Sequence, residues 1–473
     1  MNRSLARRTF LNQSGLGLGS VALGEFLQGQ ANAQSGKSPP QKGLPGFPNY
    51  PARAKRVIYL YMSGGPSQFE TFDYKPKMKE MDGKPMPESF TKGQPIAQLQ
   101  GQALKVQGHL AGFKQYGKSG QWVSEFLPWT AKMADEICVI RSMVTEQINH
   151  DPAHTFMNTG TGISGRPSMG SWVTYGLGNE TENLPGFVVL TSVGGRNPQP
   201  ISSRQWDAGF LPPKFQGVEF NSTGEPASYV ANPPGVSPNL QKGLVDAVRV
   251  LDAKRNEQVK NPDIESRLAA YELAFRMQTA VPELMDISKE PQKVLEMYGA
   301  KPADGSFASN CLLAVRLAER GVRFIQLYHR GWDHHGDLVR YMGICSDLTD
   351  RPAFALIQDL KRRGLLDDTL VIWGGEFGRT PMFQGKGGPG RDHHIKAFSM
   401  WMAGAGIKSG VSHGETDELG YHASKDVVHV RDMHATMLHL LGVDHTRLAV
   451  KYQGLNLRLT GVEPARVVKE ILT

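Results

Sequence analysis

The sequence predicts an α/β fold of three layers, with helices on both faces of a mostly parallel central sheet. Three observations carry that reading. Short continuous apolar runs rich in β-branched and aromatic residues recur, as in Val57-Ile58-Tyr59-Leu60-Tyr61-Met62 and Val322-Arg323-Phe324-Ile325-Gln326-Leu327-Tyr328, the pattern of strands buried on both faces. Segments of helical spacing lie between them, as from Phe307 to Arg320, closed by Gly321. Acidic and imidazole side chains gather just beyond the strand ends, where open α/β sheets place their ligands.

Taken in order, residues 1–33 read as an export signal. Arg7-Arg8-Thr9-Phe10-Leu11 is a twin-arginine pattern, a weakly apolar Gly-rich stretch runs from Gly15 to Leu27, and Ala31-Asn32-Ala33 has the form of a cleavage site. The competing reading is an amphipathic first helix. No later run reaches the roughly 18 to 20 apolar residues of a spanning helix, so the expectation is a periplasmic or secreted protein without a permanent membrane anchor, passed through the twin-arginine machinery. Residues 34–55, rich in Pro, Gly, Ser and Lys, read as a linker, and 56–473 as the folded domain.

That domain opens with a strand from Arg56 to Met62, ending in Ser63-Gly64-Gly65-Pro66. Ser67, Glu70, Thr71 and Asp73 follow, either a ligand set or a capped polar turn. Residues 78–120 read as a surface excursion. A helix is expected around Trp122 to Ala134, then a strand from Ile137 to Val144. Beyond it His150 and His154, four apart, would share one helix face.

A helix from Ser168 to Leu177 and a strand from Gly186 to Leu190 continue the alternation. A loop-rich stretch follows, with Arg204, Trp206 and Tyr229 open to substrate contact. Residues 239–297 read as a helical insertion, with Leu251, Leu268, Leu273 and Phe275 among its apolar positions. Then come the helix and strand of residues 307–328, a helix carrying Phe354, Ile357 and Leu360 on one stripe, strands Thr369–Trp373 and Phe398–Ala403, and a last helix from Val430 to Leu441.

Composition narrows the partners. The formal charge of +8 comes from 53 Lys and Arg against 45 Asp and Glu, scattered without a basic run or aromatic interleaving, so nucleic-acid binding is not expected. The three cysteines, Cys138, Cys311 and Cys345, sit singly and form neither a disulfide framework nor a sulfur-rich metal site.

The chemistry concentrates between Gly331 and His394. Gly331-Trp332-Asp333-His334-His335 and Trp373-Gly374-Gly375-Glu376-Phe377-Gly378-Arg379 follow two successive strands, and Gly390-Arg391-Asp392-His393-His394 closes the next loop. Asp333, His335, Glu376, Asp392 and His393 are mixed carboxylate and imidazole donors, suited to zinc, manganese or iron, with calcium or magnesium at an all-oxygen subsite. Arg379 is spaced to hold an anionic group. The plainer reading is that Asp–His pairs satisfy loop backbone and that Gly385 to Arg391 is a flexible loop. His413, His422, His429, His434 and His439 are assigned to surface or packing roles, with Asp432 and His434 as a supporting pair.

At Gly64-Gly65-Pro66-Ser67, Thr71-Phe72-Asp73, Trp332-Asp333-His334-His335, Glu376-Phe377-Gly378-Arg379-Thr380-Pro381 and Gly390-Arg391-Asp392-His393, the sequence resembles the alkaline-phosphatase and sulfatase superfamily. More closely it resembles the sulfatase-like domain-of-unknown-function 1501 family of exported proteins. The resemblance implies an alkaline-phosphatase-like fold and a divalent-metal site. It carries metal ligands onto Asp333, His335, Glu376 and His393, with Phe377 standing where that pattern has a histidine. His150-Asp151-Pro152-Ala153-His154 with Thr159-Gly160 looks like the sulfatase nucleophile motif, with His150 at the formylglycine position and His154 at the arginine position. Formylglycine chemistry is thereby excluded.

The expected function is an exported metal-dependent hydrolase of sulfate or phosphate esters, small or polysaccharide-borne, with His150 or His154 as acid, base or nucleophile and Arg379 gripping the anion. The alternative is a non-catalytic sulfatase-like protein that binds an anionic polysaccharide or a partner protein.

Overall fold

A computed structural model describes residues 42–195, 199–227, 235–259, 262–385 and 387–473. The stretch expected to be an export signal, 1–33, Tyr229 and the Leu268 side chain lie outside what is described. Two compact units are separated, Met1–Pro39 with Asn232–Glu272, and Pro40–Ala231 with Leu273–Thr473. Described in the smaller unit are the helix Pro238–Val259 and the first part of the helix Pro262–Met285; Leu240, Leu244 and Leu251 on the former are exposed. Everything below concerns the larger unit.

Strand β1 (Arg56–Ser63) is at its centre, all eight residues buried. Because side chains alternate along a strand, Ile58, Leu60 and Met62 enter one core and Val57, Tyr59 and Tyr61 the other. Around it lie β2 (Cys138–Val144), β3 (Phe187–Thr191), β4 (Val218–Phe220), β5 (Phe324–Arg330), β6 (Thr369–Gly374), β7 (Phe398–Ala403), β8 (Val411–His413) and β9 (Val428–His429). The sheet runs β8-β2-β7-β6-β1-β5-β3-β4, with β9 also paired to β2. Its pairs are parallel except those of β7, which is antiparallel to both β2 and β6.

Helices cover both faces. On the side of Ile58 and Leu60 lie α1 (Phe307–Glu319) and α2 (Leu338–Arg362), whose Leu312, Val315, Leu356 and Ile357 complete that core. The Tyr59 side is covered by α3 (His150–Thr159), α4 (Met169–Leu177) and α5 (Val430–Leu440), through Phe156, Trp172 and Met433. This is the expected three-layer α/β arrangement.

The helix expected over Trp122–Ala134 is not formed. Gln121–Ser124 pairs antiparallel with Phe113–Tyr116, because Gly117 and Gly120, with φ of 67° and 66°, turn the chain between two segments of strand-forming residues; only Thr130–Met133 is helical, and that as a 3-10 turn. The described part of the linker, residues 42–55, lies against the domain through Leu44 N–H to Gly176 O and Asn49 N–H to Gly442 O. Among the described residues no helix is long and apolar enough to cross a membrane.

The topology decides where side chains can meet. β1 pairs with β5 on one side and β6 on the other, all parallel, so the loops after these three strands leave the same sheet edge side by side.

Candidate metal centre

The loop after β5 carries Asp333 and His335, the loop after β6 carries Glu376, and the first turn of α3 presents His150 and His154. The last side chain arrives by a short ribbon in which His393–His394 pairs antiparallel with Gly378–Arg379. Close approach of the loops depends on Gly64, at φ 124°, where a Cβ would lie 2.5 Å from the Asp333 amide nitrogen. Its N–H donates to both Glu376 oxygens, at 3.0 and 3.1 Å.

Asp333 Oδ1 is the focus. His335 Nε2 lies 2.9 Å from it, and His150 Nε2 and His393 Nε2 each lie 3.2 Å away. The far side of every ring is tied to an oxygen. His150 Nδ1–H donates to Glu376 Oε1 at 2.7 Å, His393 Nδ1–H to the Ile148 carbonyl at 2.8 Å, and His335 Nδ1–H to Gln384 Oε1 at 2.5 Å. A carboxylate and a carbonyl only accept, so the ring protons of His150 and His393 sit on Nδ1. When neutral, rings held this way turn three Nε2 lone pairs toward one carboxylate oxygen. Two of those nitrogens, in His335 and His393, are 2.9 Å apart.

Crowded lone pairs beside an anion are unfavourable unless a cation lies among them, and ring nitrogens fixed through an oxygen on the far side are how metal-bound histidines are held. His150 Nε2 is buried without a hydrogen-bond partner. The four donors lie within 4.8 Å of one another, and the side chains of His150, Asp333 and His335 keep 15% of their exposure, which leaves an open side. Three imidazoles, one carboxylate and an open side suit a zinc-like divalent ion.

Protonation follows from this packing. Burial would raise the Asp333 carboxyl, but the Arg379 guanidinium and the three histidines that face it outweigh it and hold it well below the usual carboxylate range. Burial would lower His150, but the two carboxylates beside it, Asp333 and Glu376, win and raise it. Burial pushes His393 down to about 4.

Glu376 stands behind the centre rather than in it. Fully buried, it receives His150 and the Gly64 amide and lies 3.5 Å from His154 Nδ1, which is 2.8 Å from the Tyr61 hydroxyl. His150, His154 and Glu376 form a second donor group, closed to solvent at His154 and Glu376. Burial holds Glu376 up, but His154 and His150 overcome it and lower its pKa, while His154 itself is pushed down to about 4.

Besides Glu376, Asp392 and Arg379 are used differently from the sequence expectation. Asp392 does not join the cluster. Its oxygens accept the backbone N–H groups of Gln98, Leu99 and His393 at 2.7 to 2.9 Å. Arg379 is 1% exposed, and its nitrogens donate to the carbonyls of Gly64, Gly65, Trp332 and Arg391 and, at 2.7 Å, to Asp333. A guanidinium filled by backbone oxygens braces Asp333 and has no face left for an anion. Phe377 packs its ring against His150 and His393, at 5.0 and 4.6 Å between centroids.

Ser67, Glu70 and Asp73 resolve into internal pairs. Glu70 receives Ser67 and a buried salt bridge from Arg391 at 2.8 Å, and Asp73 meets Lys75 and Thr416. Sequence reading missed Gln98 and Gln384. Gln98 faces His335 Nε2 from 3.1 Å with its side-chain amide, and nothing in the unperiodic stretch around it marks that role.

Residues 54–472 match the family profile described as "Protein of unknown function (DUF1501)". The chain belongs to this family. No curated protein matches it. Among solved structures, this DUF1501 chain is similar to a phosphonate monoester hydrolase from Silicibacter pomeroyi, with TM-score 0.35 and 10% identity over 88% of this chain and 76% of that one. It is also similar to the PsFucS1 sulfatase from Pseudoalteromonas sp., with TM-score 0.33 and 12% identity over 83% and 68%. A protein in the alkaline phosphatase superfamily from Vibrio parahaemolyticus gives TM-score 0.34 and 12% identity over 84% and 69%. In the DUF1501 chain the chemistry therefore rests on the donors themselves.

Proposed function

We propose that this DUF1501 protein is an exported metal-dependent hydrolase of phosphate or sulfate esters that works without a formylglycine nucleophile. The observation that carries the metal dependence is the set of three imidazoles, each anchored through Nδ1, with Nε2 aimed at Asp333. His150, Asp333, His335 and His393 would hold the ion, and the ester class follows the motif resemblance to the sulfatase superfamily. Export rests on the twin-arginine pattern at Arg7 and Arg8.

A divalent ion held there would supply Lewis acidity toward a phosphoryl or sulfuryl oxygen. Around it, Glu376 keeps the His150 ring oriented and its Nδ1 protonated, Arg379 holds Asp333 ionised, and Phe377 shields the imidazoles on one side. His154, buried and neutral, is held by the Tyr61 hydroxyl beside Glu376 and does not meet substrate. Because Arg379 is committed to the backbone, an anion's charge is met by the ion itself. That same commitment is what favours the second reading, a metal-loaded binder of an anionic polysaccharide without turnover.

The test is a panel of aryl phosphates and sulfates, with the wild-type protein after zinc or manganese loading and with Asp333→Asn. Hydrolysis that follows metal content and drops at least 100-fold in the variant supports the proposal; metal-loaded wild type that turns over no ester removes it and leaves the binder.

A further inference from the structure

A second cavity lies at the other end of α3, about 14 Å along the helix from His150 at 1.5 Å per residue. Its volume is about 270 Å³, and its walls include Arg166, Trp172, Phe210, Arg431, Leu457 and Arg458. None of these belongs to the metal centre. Three partly buried guanidinium groups border this apolar space, an arrangement suited to meeting an anion.

Their partners do not account for all three. Arg431 pairs with Glu146 through Nη1, while its Nε is buried and has no hydrogen-bond partner. That nitrogen lies 3.5 Å from where a Cβ on Gly461 would stand, and Gly461 also lines the cavity. Arg458 donates through Nε to the Gly461 carbonyl at 3.2 Å. Arg166 lies over the Phe210 ring, 5.7 Å from its centroid, with no carboxylate partner among the described residues. Glu463 also lines the space. Three arginines against Glu146 and Glu463 leave one net positive charge.

The walls supply the rest of the recognition. Phe210 stacks on Tyr452 at 4.8 Å and meets Trp172 edge-on at 5.9 Å, and Leu455 and Val462 at the rim are exposed. A guanidinium lying on an aromatic ring pairs charge with apolar contact. We infer that this cavity binds an organic monoanion, a carboxylate, sulfonate or sulfate head on an aromatic or alkyl body, at a site separate from the metal centre. The head would meet Arg166, Arg458 and Arg431 Nε, and the body would lie against Phe210 and Leu457.

Naphthalene-2-sulfonate is a suitable probe, since it cannot be hydrolysed and ligates metals weakly. Its binding to full-length protein, followed by calorimetry, is compared with that of 2-naphthalenemethanol and with that in Arg166→Gln/Arg458→Gln and Leu457→Trp variants. The first removes charge and the second fills the space with the charges kept. The inference expects saturable one-site binding of the sulfonate, at least 10-fold weaker in either variant and for the neutral alcohol, and unchanged by Asp333→Asn. Unfolding midpoints equal to wild type show that the variants are folded, and perturbed Trp172 indole resonances in the wild-type complex place the ligand independently of them. No binding at millimolar sulfonate, equal binding of the alcohol, or loss of binding in Asp333→Asn overturns it.

Discussion

Two clusters built around a carboxylate sit at the same sheet edge and have been put to opposite uses. In one, Glu70 and Arg391 are both fully buried, and the Glu70 oxygens receive Arg391, Ser67 and the Leu110 amide. In the other, Asp333 and three imidazoles face one another with Nε2 lone pairs turned inward and an open side. The first is a closed ion pair and the second a centre that calls for a cation. Each holds a carboxylate in a loop beyond a strand. What separates them is the partner set, a guanidinium that fills the carboxylate in one and three imidazole nitrogens gathered at one oxygen in the other.

The largest effect expected from this comparison is at the closed cluster. Arg391→Leu leaves Glu70 as an uncompensated buried charge and should lower stability by about 3–5 kcal/mol, read by denaturant unfolding, while zinc uptake by the protein that remains folded stays near wild type. A small loss of stability with a large loss of metal would invert the assignment.

That inversion is what the sequence left open, and the reason is physical. The strands Arg56–Met62, Thr369–Trp373 and Phe398–Ala403 were legible because burial on both faces demands continuous apolar runs. So were Asp333, His335 and His393, because strand order brings their loops together. Asp392, next in sequence to His393, looked equally fit to ligate, but it serves the amides of Gln98 and Leu99. That contact joins residues nearly three hundred positions apart, and no local pattern encodes it. Arg379 was legible as important and not as a brace, since the carbonyls that surround it belong to four separate residues. The antiparallel direction of β7 was equally hidden, because strand direction leaves no trace in an apolar run.

Next in size is the open cluster itself. His335→Ala should weaken zinc binding by more than the roughly 10–100-fold that a supporting residue costs, while unfolding of the metal-free protein shifts by about 1 kcal/mol or less, since the lost ring relieves crowding with His393. Glu376→Gln sharpens the boundary between ligand and support. It should cost about 10–100-fold in affinity and move the pH dependence of uptake.

The sign is set by His150. Below its pKa His150 is protonated and Nε2 cannot ligate, so uptake is lost as pH falls through that value, which the neighbouring Asp333 and Glu376 carboxylates raise from the ordinary imidazole value. His393, pushed down to about 4, is not the limiting group. Removing the Glu376 charge lowers the His150 pKa and shifts the loss of zinc uptake to more acid pH; a shift to higher pH would count against Glu376 as its partner. The smallest effect is expected for Asp392→Asn, with metal affinity unchanged within about 3-fold and about 1–2 kcal/mol of stability lost from its three amide contacts.

The most direct measurement is zinc titration of the purified metal-free protein, with X-ray absorption at the zinc edge on the loaded form. One ion per chain with three imidazole nitrogens and one carboxylate oxygen in its first shell, lost in His335→Ala, is the predicted result. Failure to take up zinc or manganese, or a bound ion whose shell is unchanged in that variant, would contradict the account.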